Sequence, residues 1–214
     1  REYTFICVYM EVRYMDGKEL VSGAAYDVYM DIKKRTNGEI YFGVVGPVRT
    51  GKSTFIKRFM ELCVLPSMKD DNKRKRAQDE LPQSSGGTTV MTVEPKFIPS
   101  EAALISPFEG INMKVRLVDC VGFMVEGANG HLDNGKERMV KTPWDTKEIA
   151  FSKAAEIGTK KVINDHSTIG IVVTTDGSFT EIDRTNYVAA EKKTINELKK
   201  INKPFVVILN SDKP

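Results

Sequence analysis

The run Gly46-Pro47-Val48-Arg49-Thr50-Gly51-Lys52-Ser53 fits the pattern G-x-x-x-x-G-K-[ST]. That spacing suits a polyphosphate. Its glycines allow tight backbone curvature, and successive backbone N–H groups at a helix start can surround an anion. Lys52 is placed to reach the β- and γ-phosphates of a nucleoside triphosphate, and the Ser53 hydroxyl to hold Mg²⁺. Gly46, Val48, Arg49, Thr50, Gly51, Lys52, Ser53 and Thr54 are therefore the candidate nucleotide-binding residues. A second element, Leu117-Val118-Asp119, sets a carboxylate at the end of an apolar run, where it can hold Mg²⁺ through water. Gly122 completes D-x-x-G, and its N–H can sense a γ-phosphate.

Between these elements a loop must bring a hydroxyl to the metal and the γ-phosphate. Thr88, Thr89 and Thr92 are the candidates, and Thr92 is preferred because it precedes a strand expected over residues 93–97. The expected metal set is thus Ser53, Thr92 and Asp119, and the expected catalytic set Lys52, Thr92, Asp119 and Arg49.

Such groups need strands to carry them. Ile40-Tyr41-Phe42-Gly43-Val44-Val45 is nearly all apolar, as expected of a strand buried on both faces of a parallel sheet. Residues 54–62 then read as an amphipathic helix, which is the context that the phosphate pattern requires. Further strands are expected at 115–118, 169–174 and 204–210, and helices at 154–166 and 186–201. Strand and helix alternate, so the fold class is α/β with a doubly wound, mostly parallel sheet. The charged stretch 69–80, with Lys73-Arg74-Lys75-Arg76, reads as a solvated face, with a docking patch for lipid headgroups or an acidic partner as the alternative, and residues 123–146 as a long functional loop. Before them, residues 4–14 read as a strand, Asp16-Gly17 as a hairpin turn, and 26–35 as a helix.

Composition is consistent with one such domain. The chain has 214 residues, 41% of them hydrophobic and 29% charged, enough for a core without disulfide or metal staples. Thirty-two basic against 29 acidic residues leave a net charge of only +3, which gives no support to a nucleic-acid partner. No apolar run approaches the roughly 18 residues of a membrane helix. Cys7, Cys63 and Cys120 are scattered and odd in number, so a reducing, cytoplasmic setting is expected rather than a disulfide framework. His131 and His166 are isolated and read as structural or surface residues.

The combined elements resemble the translation-factor-like, GTPase-related branch of P-loop NTPases. That branch reads guanine with N-K-x-D. Here the corresponding stretch is Asn210-Ser211-Asp212-Lys213-Pro214: Asn210 is in place, but lysine and the final aspartate are not. ATP is therefore expected over GTP. The position where many relatives carry a water-orienting glutamine holds Phe123, so slow isolated turnover is expected.

Longer strings carry a closer resemblance. Residues 43–57, Ala77-Gln78-Asp79-Glu80-Leu81-Pro82-Gln83-Ser84, Thr92-Val93-Glu94-Pro95-Lys96-Phe97, residues 116–122, Ala154-Ala155-Glu156-Ile157-Gly158-Thr159 and His166-Ser167-Thr168-Ile169-Gly170 are similar to the stage IV sporulation protein A family. The resemblance implies a Mg²⁺-dependent morphogenetic ATPase that self-associates into a polymer, the basement layer of the bacterial spore coat. It implies a place in the mother-cell cytoplasm at the forespore outer membrane surface, with an amphipathic membrane peptide and coat proteins as partners. It assigns Lys52 and Ser53 to the phosphate site, Asp119 to the Walker B position and Thr92 to the sensor position. Val93 stands where the family often has a second threonine. The expected organisation is residues 1–25 as an unassigned β-like extension and 26–214 as an ATPase domain that continues beyond Pro214. A GTPase-like switch that binds an effector without polymerising is the alternative. Arg49 occupies the position where potassium-activated relatives place an asparagine, so it is a candidate built-in cation.

Overall fold

The computed structural model describes residues 4–11, 38–82, 93–108, 111–133 and 135–212. The hairpin turn at Asp16-Gly17, the 26–35 helix, and Thr88, Thr89 and Thr92 fall outside those residues. Four strands form the centre of the sheet: β2 (Glu39–Val45), β4 (Ile111–Asp119), β9 (Ile169–Thr175) and β10 (Phe205–Ser211). They run parallel, with β4 beside β2, β2 beside β9, and β9 beside β10. Two antiparallel strands close the edges. β1 (Thr4–Glu11) pairs with β10, and β3 (Lys96–Phe108) pairs with β4, completing a six-stranded mixed sheet.

Side chains alternate across this sheet with the period of two that extended backbone imposes. Val44, Leu117, Ile171 and Val173 point to one face, where they pack on Ile56, Met60 and Val64. Those last three belong to α1 (Lys52–Phe59) and the π turn Met60–Val64 that continues it. Val45, Val118 and Val172 point to the other face, against Val162, Tyr187, Ala190 and Leu198. Their partners are α3 (Phe151–Lys161), with its π turn Val162–His166, and α4 (Arg184–Lys200). Burying about 1.5–3 kcal/mol of apolar side chain at each such position holds the three layers together.

The charged stretch forms α2 (Asp71–Asp79), and Asp70 caps it by accepting the N–H groups of Asn72 and Lys73. Only Ala77 of this helix is buried, and Lys73 and Arg76 reach Glu101 on β3. The solvated reading holds. Residues 123–146, expected as an irregular loop, differ from Leu132 onward, where two small hairpins form. These are β5 (Leu132–Asp133) with β6 (Lys136–Glu137), and β7 (Met139–Thr142) with β8 (Asp145–Ala150). No helix among the described residues is long and apolar enough to cross a membrane.

Candidate functional site

Parallel pairing of β2 and β4, with Gly43 opposite Val118, brings two distant segments out of the sheet at the same edge. β2 delivers the loop Gly46–Gly51, and β4 delivers Asp119–Gly122. The two are tied by their backbones. The Phe123 N–H donates to Gly46 O at 3.2 Å, and the Val48 N–H donates to Phe123 O at 2.9 Å. Gly46, Gly51 and Gly122 have φ of 134°, 89° and 98°, the region that a Cβ disfavours.

α1 begins at Lys52 with no acidic residue in its first turn. The N–H groups of Lys52, Ser53 and Thr54 therefore lack helical acceptors and face the loop with the positive end of the helix dipole. Val48, a candidate phosphate contact, instead commits its amide to Phe123. Lys52 is 5% exposed, and its ammonium donates to Pro47 O at 2.5 Å, an acceptor shared with the Thr50 hydroxyl at 3.0 Å. Burial lowers the pKa of Lys52, and attraction from Cys120 and Asp119 offsets only part of that shift.

Across from Lys52 the Ser53 hydroxyl donates to Asp119 Oδ2 at 2.9 Å, joining residues 66 apart in sequence. Asp119 Oδ1 is enclosed and has no hydrogen-bond partner among the described residues. An orphaned carboxylate oxygen beside a hydroxyl is a hard-oxygen donor pair. Among the described residues no three His, Cys, Asp or Glu converge on a metal position. One carboxylate, one hydroxyl, phosphate oxygens and water match how Mg²⁺ is usually held, so the residues present fit that ion. Thr92, the expected third ligand, lies outside the described residues.

Burial raises the pKa of Asp119, and its hydrogen bond from Ser53 and the Lys52 charge pull weakly the other way. The native carboxyl thus keeps its proton to higher pH than the unfolded one does. The ligand-free chain gains stability from this group at low pH and loses it as pH rises through the raised value. Asp119→Asn should remove that contribution. In melts between pH 4 and 8, the wild type minus Asp119→Asn difference should fall as pH rises. A flat difference would show that Asp119 is not desolvated.

Arg49 is exposed and has φ 63°, a left-handed conformation that costs a non-glycine residue about 1 kcal/mol or more. Burial raises the Tyr187 pKa, and the nearby Arg49 charge offsets part of that rise. Two residues take roles that their sequence context did not reveal. Phe123 is 2% exposed in the core under α4, with the Lys193 ammonium 4.8 Å from its ring centroid. Its main chain, not its ring, serves the site. Asn210 is buried and donates from Nδ2 to Thr50 O at 3.1 Å, bracing the loop from β10. A buried asparagine ending a strand was the available signal for this brace.

Among the remaining candidates, Cys63 is exposed and Cys120 buried, both as free thiols, and burial pushes the Cys120 pKa up to about 11. His166 packs edge-on against Phe97.

Comparison with known proteins identifies the family. Residues 24–214 match the family described as stage IV sporulation protein A, ATPase domain. Over 188 residues, 88% of this chain, it is 58% identical to stage IV sporulation protein A of Clostridioides difficile (strain 630), 56% to that of Bacillus anthracis and 55% to that of Bacillus subtilis (strain 168). It spans 38% of the length of each of those relatives. With the matched segment containing the loop, Ser53 and Asp119, the chain belongs to the stage IV sporulation protein A family, through its ATPase domain.

Proposed function

We propose that this domain binds ATP and hydrolyses it with Mg²⁺, as a P-loop NTPase of the translation-factor-like type. The observation that carries the reading is the meeting of Ser53 and Asp119 at 2.9 Å beside the buried Lys52. Groups this far apart in sequence converge, and each is the type that phosphoryl transfer needs. The first-turn amides of α1 and the Lys52 ammonium bind the β- and γ-phosphates and exchange the Pro47 carbonyl for phosphate oxygens. Ser53, Asp119 and Thr92 would hold Mg²⁺, which supplies charge neutralisation of the two phosphates. Water attacks the γ-phosphorus, the bond to the β–γ bridging oxygen breaks, and ADP and phosphate leave. Phe123 has no group to orient that water, so turnover is slow.

The end of β10 favours ATP. The Asn210 Nδ2 group donates to Thr50 O, Ser211 donates to Asp176 at 2.6 Å, and no carboxylate occupies the fourth position of N-K-x-D. A guanine N1–H and amino group would go unpaired. Arg49, held in its left-handed conformation at the loop crest, supplies the cation that related enzymes take as K⁺. In the whole protein, ATP turnover would drive self-association into the polymer that underlies the spore coat at the forespore surface.

Steady-state phosphate release tests this reading. ATP should be turned over at least about tenfold faster than GTP, with equal rates in K⁺ and Na⁺. Arg49→Ala should lose about tenfold or more in kcat. Tight GTP binding with ATP excluded would favour a regulatory switch instead, and a steep K⁺ requirement would remove Arg49 from the mechanism.

A further inference from the structure

Sheet order locates the base of a bound nucleotide as well as its phosphates. β4, which carries Asp119, lies on one side of β2, and β9 and β10 lie on the other. The order of strands therefore reverses between β2 and β9, and ligands of such sheets sit outside the strand ends at that point. Ser53 and Asp119 mark the Mg²⁺ end of a triphosphate, on the β4 side. The base then runs the opposite way, over the ends of β9 and β10. β10 already meets the loop there, through Asn210 Nδ2 and Thr50 O.

These two strands end alike. Thr175 stands beside Asn210 in register, and the chain continues as Asp176-Gly177-Ser178 from one and Ser211-Asp212 from the other. Hydrogen bonds tie the two ends together. Asp176 Oδ2 accepts the Ser211 hydroxyl at 2.6 Å, and Asp176 Oδ1 accepts the Ser178 N–H at 2.9 Å. The Asp212 N–H donates to Ser178 Oγ at 3.0 Å. Both oxygens of Asp176 are thus engaged inside the protein. Asp212 is held by its main chain, and its side chain is exposed at the strand end.

An ionised carboxylate only accepts hydrogen bonds. Set against the 6-position of a purine, it takes a charge-assisted bond from the amino group of adenine. The same carboxylate repels the 6-carbonyl of guanine or hypoxanthine, which is also an acceptor. Asp212 stands one residue before the place from which N-K-x-D pairs with the guanine N1–H and 2-amino group. We propose that Asp212 is the base-specificity residue of this site, accepting the adenine 6-amino group and excluding 6-oxopurines. Asp176, Ser178 and Ser211 are its positioning residues. The inference rests on the ATPase reading and gives it an attraction for adenine beside the lost partners for guanine.

The test uses the full-length protein as wild type, Asp212→Ala and Asp212→Asn, with Mg²⁺·ATP and Mg²⁺·ITP as substrates. ITP carries a 6-carbonyl and, unlike GTP, no 2-amino group, so the comparison isolates the 6-position side of the base. Wild type should favour ATP by at least about tenfold in kcat/KM, a ratio within reach of one charge-assisted hydrogen bond. In Asp212→Ala the two substrates should fall within about threefold of each other, through loss of ATP turnover. Asparagine can accept from an amino group or donate to a carbonyl, so Asp212→Asn should lower the ratio by a gain with ITP. Calorimetric affinities for ADP and IDP should follow the same ratios. If Asp212→Ala loses its cooperative melt, the near-isosteric Asp212→Asn decides. Folded variants that keep the wild-type ratio, or that lose both substrates equally, would overturn the proposal and leave the ATPase reading standing. So would a wild type that turns over ITP as fast as ATP. A wild type that releases phosphate from neither would overturn both.

Discussion

Lys52→Met raises the melting temperature of the ligand-free chain by roughly 2–10 °C, equivalent to about 1–3 kcal/mol, while it abolishes phosphate release. The two effects have one cause. The ammonium is held out of water with Pro47 O as its one acceptor among the described residues, and its lowered pKa reports the cost of keeping it charged there. Methionine keeps the length and apolar character of the stem and drops the charge. Pro47 O is not orphaned, because the Thr50 hydroxyl still donates to it. Under the proposed function, a bound phosphate would offset the cost of that buried charge. Thermal melts beside turnover assays check both halves; a variant that melts lower than wild type would refute the desolvation argument.

Gly122→Ala has the opposite signature, a loss of about 2–4 kcal/mol together with turnover. At φ 98° a side chain is strained before any contact is considered. Its Cβ would lie 2.3 Å from Gly46 O and 3.1 Å from the Pro47 carbonyl carbon, both main-chain atoms that no rotamer change can move. It would also lie 2.7 Å from the Lys52 Nζ. Relief requires the two segments to separate, which breaks the Phe123 N–H to Gly46 O and Val48 N–H to Phe123 O pair. Urea unfolding of the variant should show the loss with unchanged m-value. An alanine variant of wild-type stability would mean that the two segments are not locked as described.

The parts of the fold that the sequence made legible are the strands buried on both faces, the amphipathic helices that cover them and the edge strand β1. β2, β4, β9 and β10 announce themselves as short apolar runs because both faces meet a helical layer. β3 gave no such signal beyond its first residues. It is an edge strand containing Pro99, Ser100 and Glu101, and its pairing with β4 shifts register twice. The hairpins of residues 132–150 were equally hidden, since most of their side chains are exposed and their pairing is local. In the candidate site, Lys52, Ser53 and Asp119 were legible because motif spacing specifies side-chain chemistry. The latch through Phe123 and the brace from Asn210 were not, because each acts through main-chain atoms of a distant segment. Phe123 read only as a missing glutamine, and Asn210 only as half of a guanine-reading motif.

Phosphate release from Mg²⁺·ATP, compared in wild type, Lys52→Met and Asp119→Ala, tests the central claim most directly. The site described predicts slow but measurable turnover in wild type and a loss of at least about 10²-fold in each variant, since each removes charge stabilisation of the transferring phosphoryl group. Turnover that survives both substitutions would place the chemistry elsewhere and contradict the account.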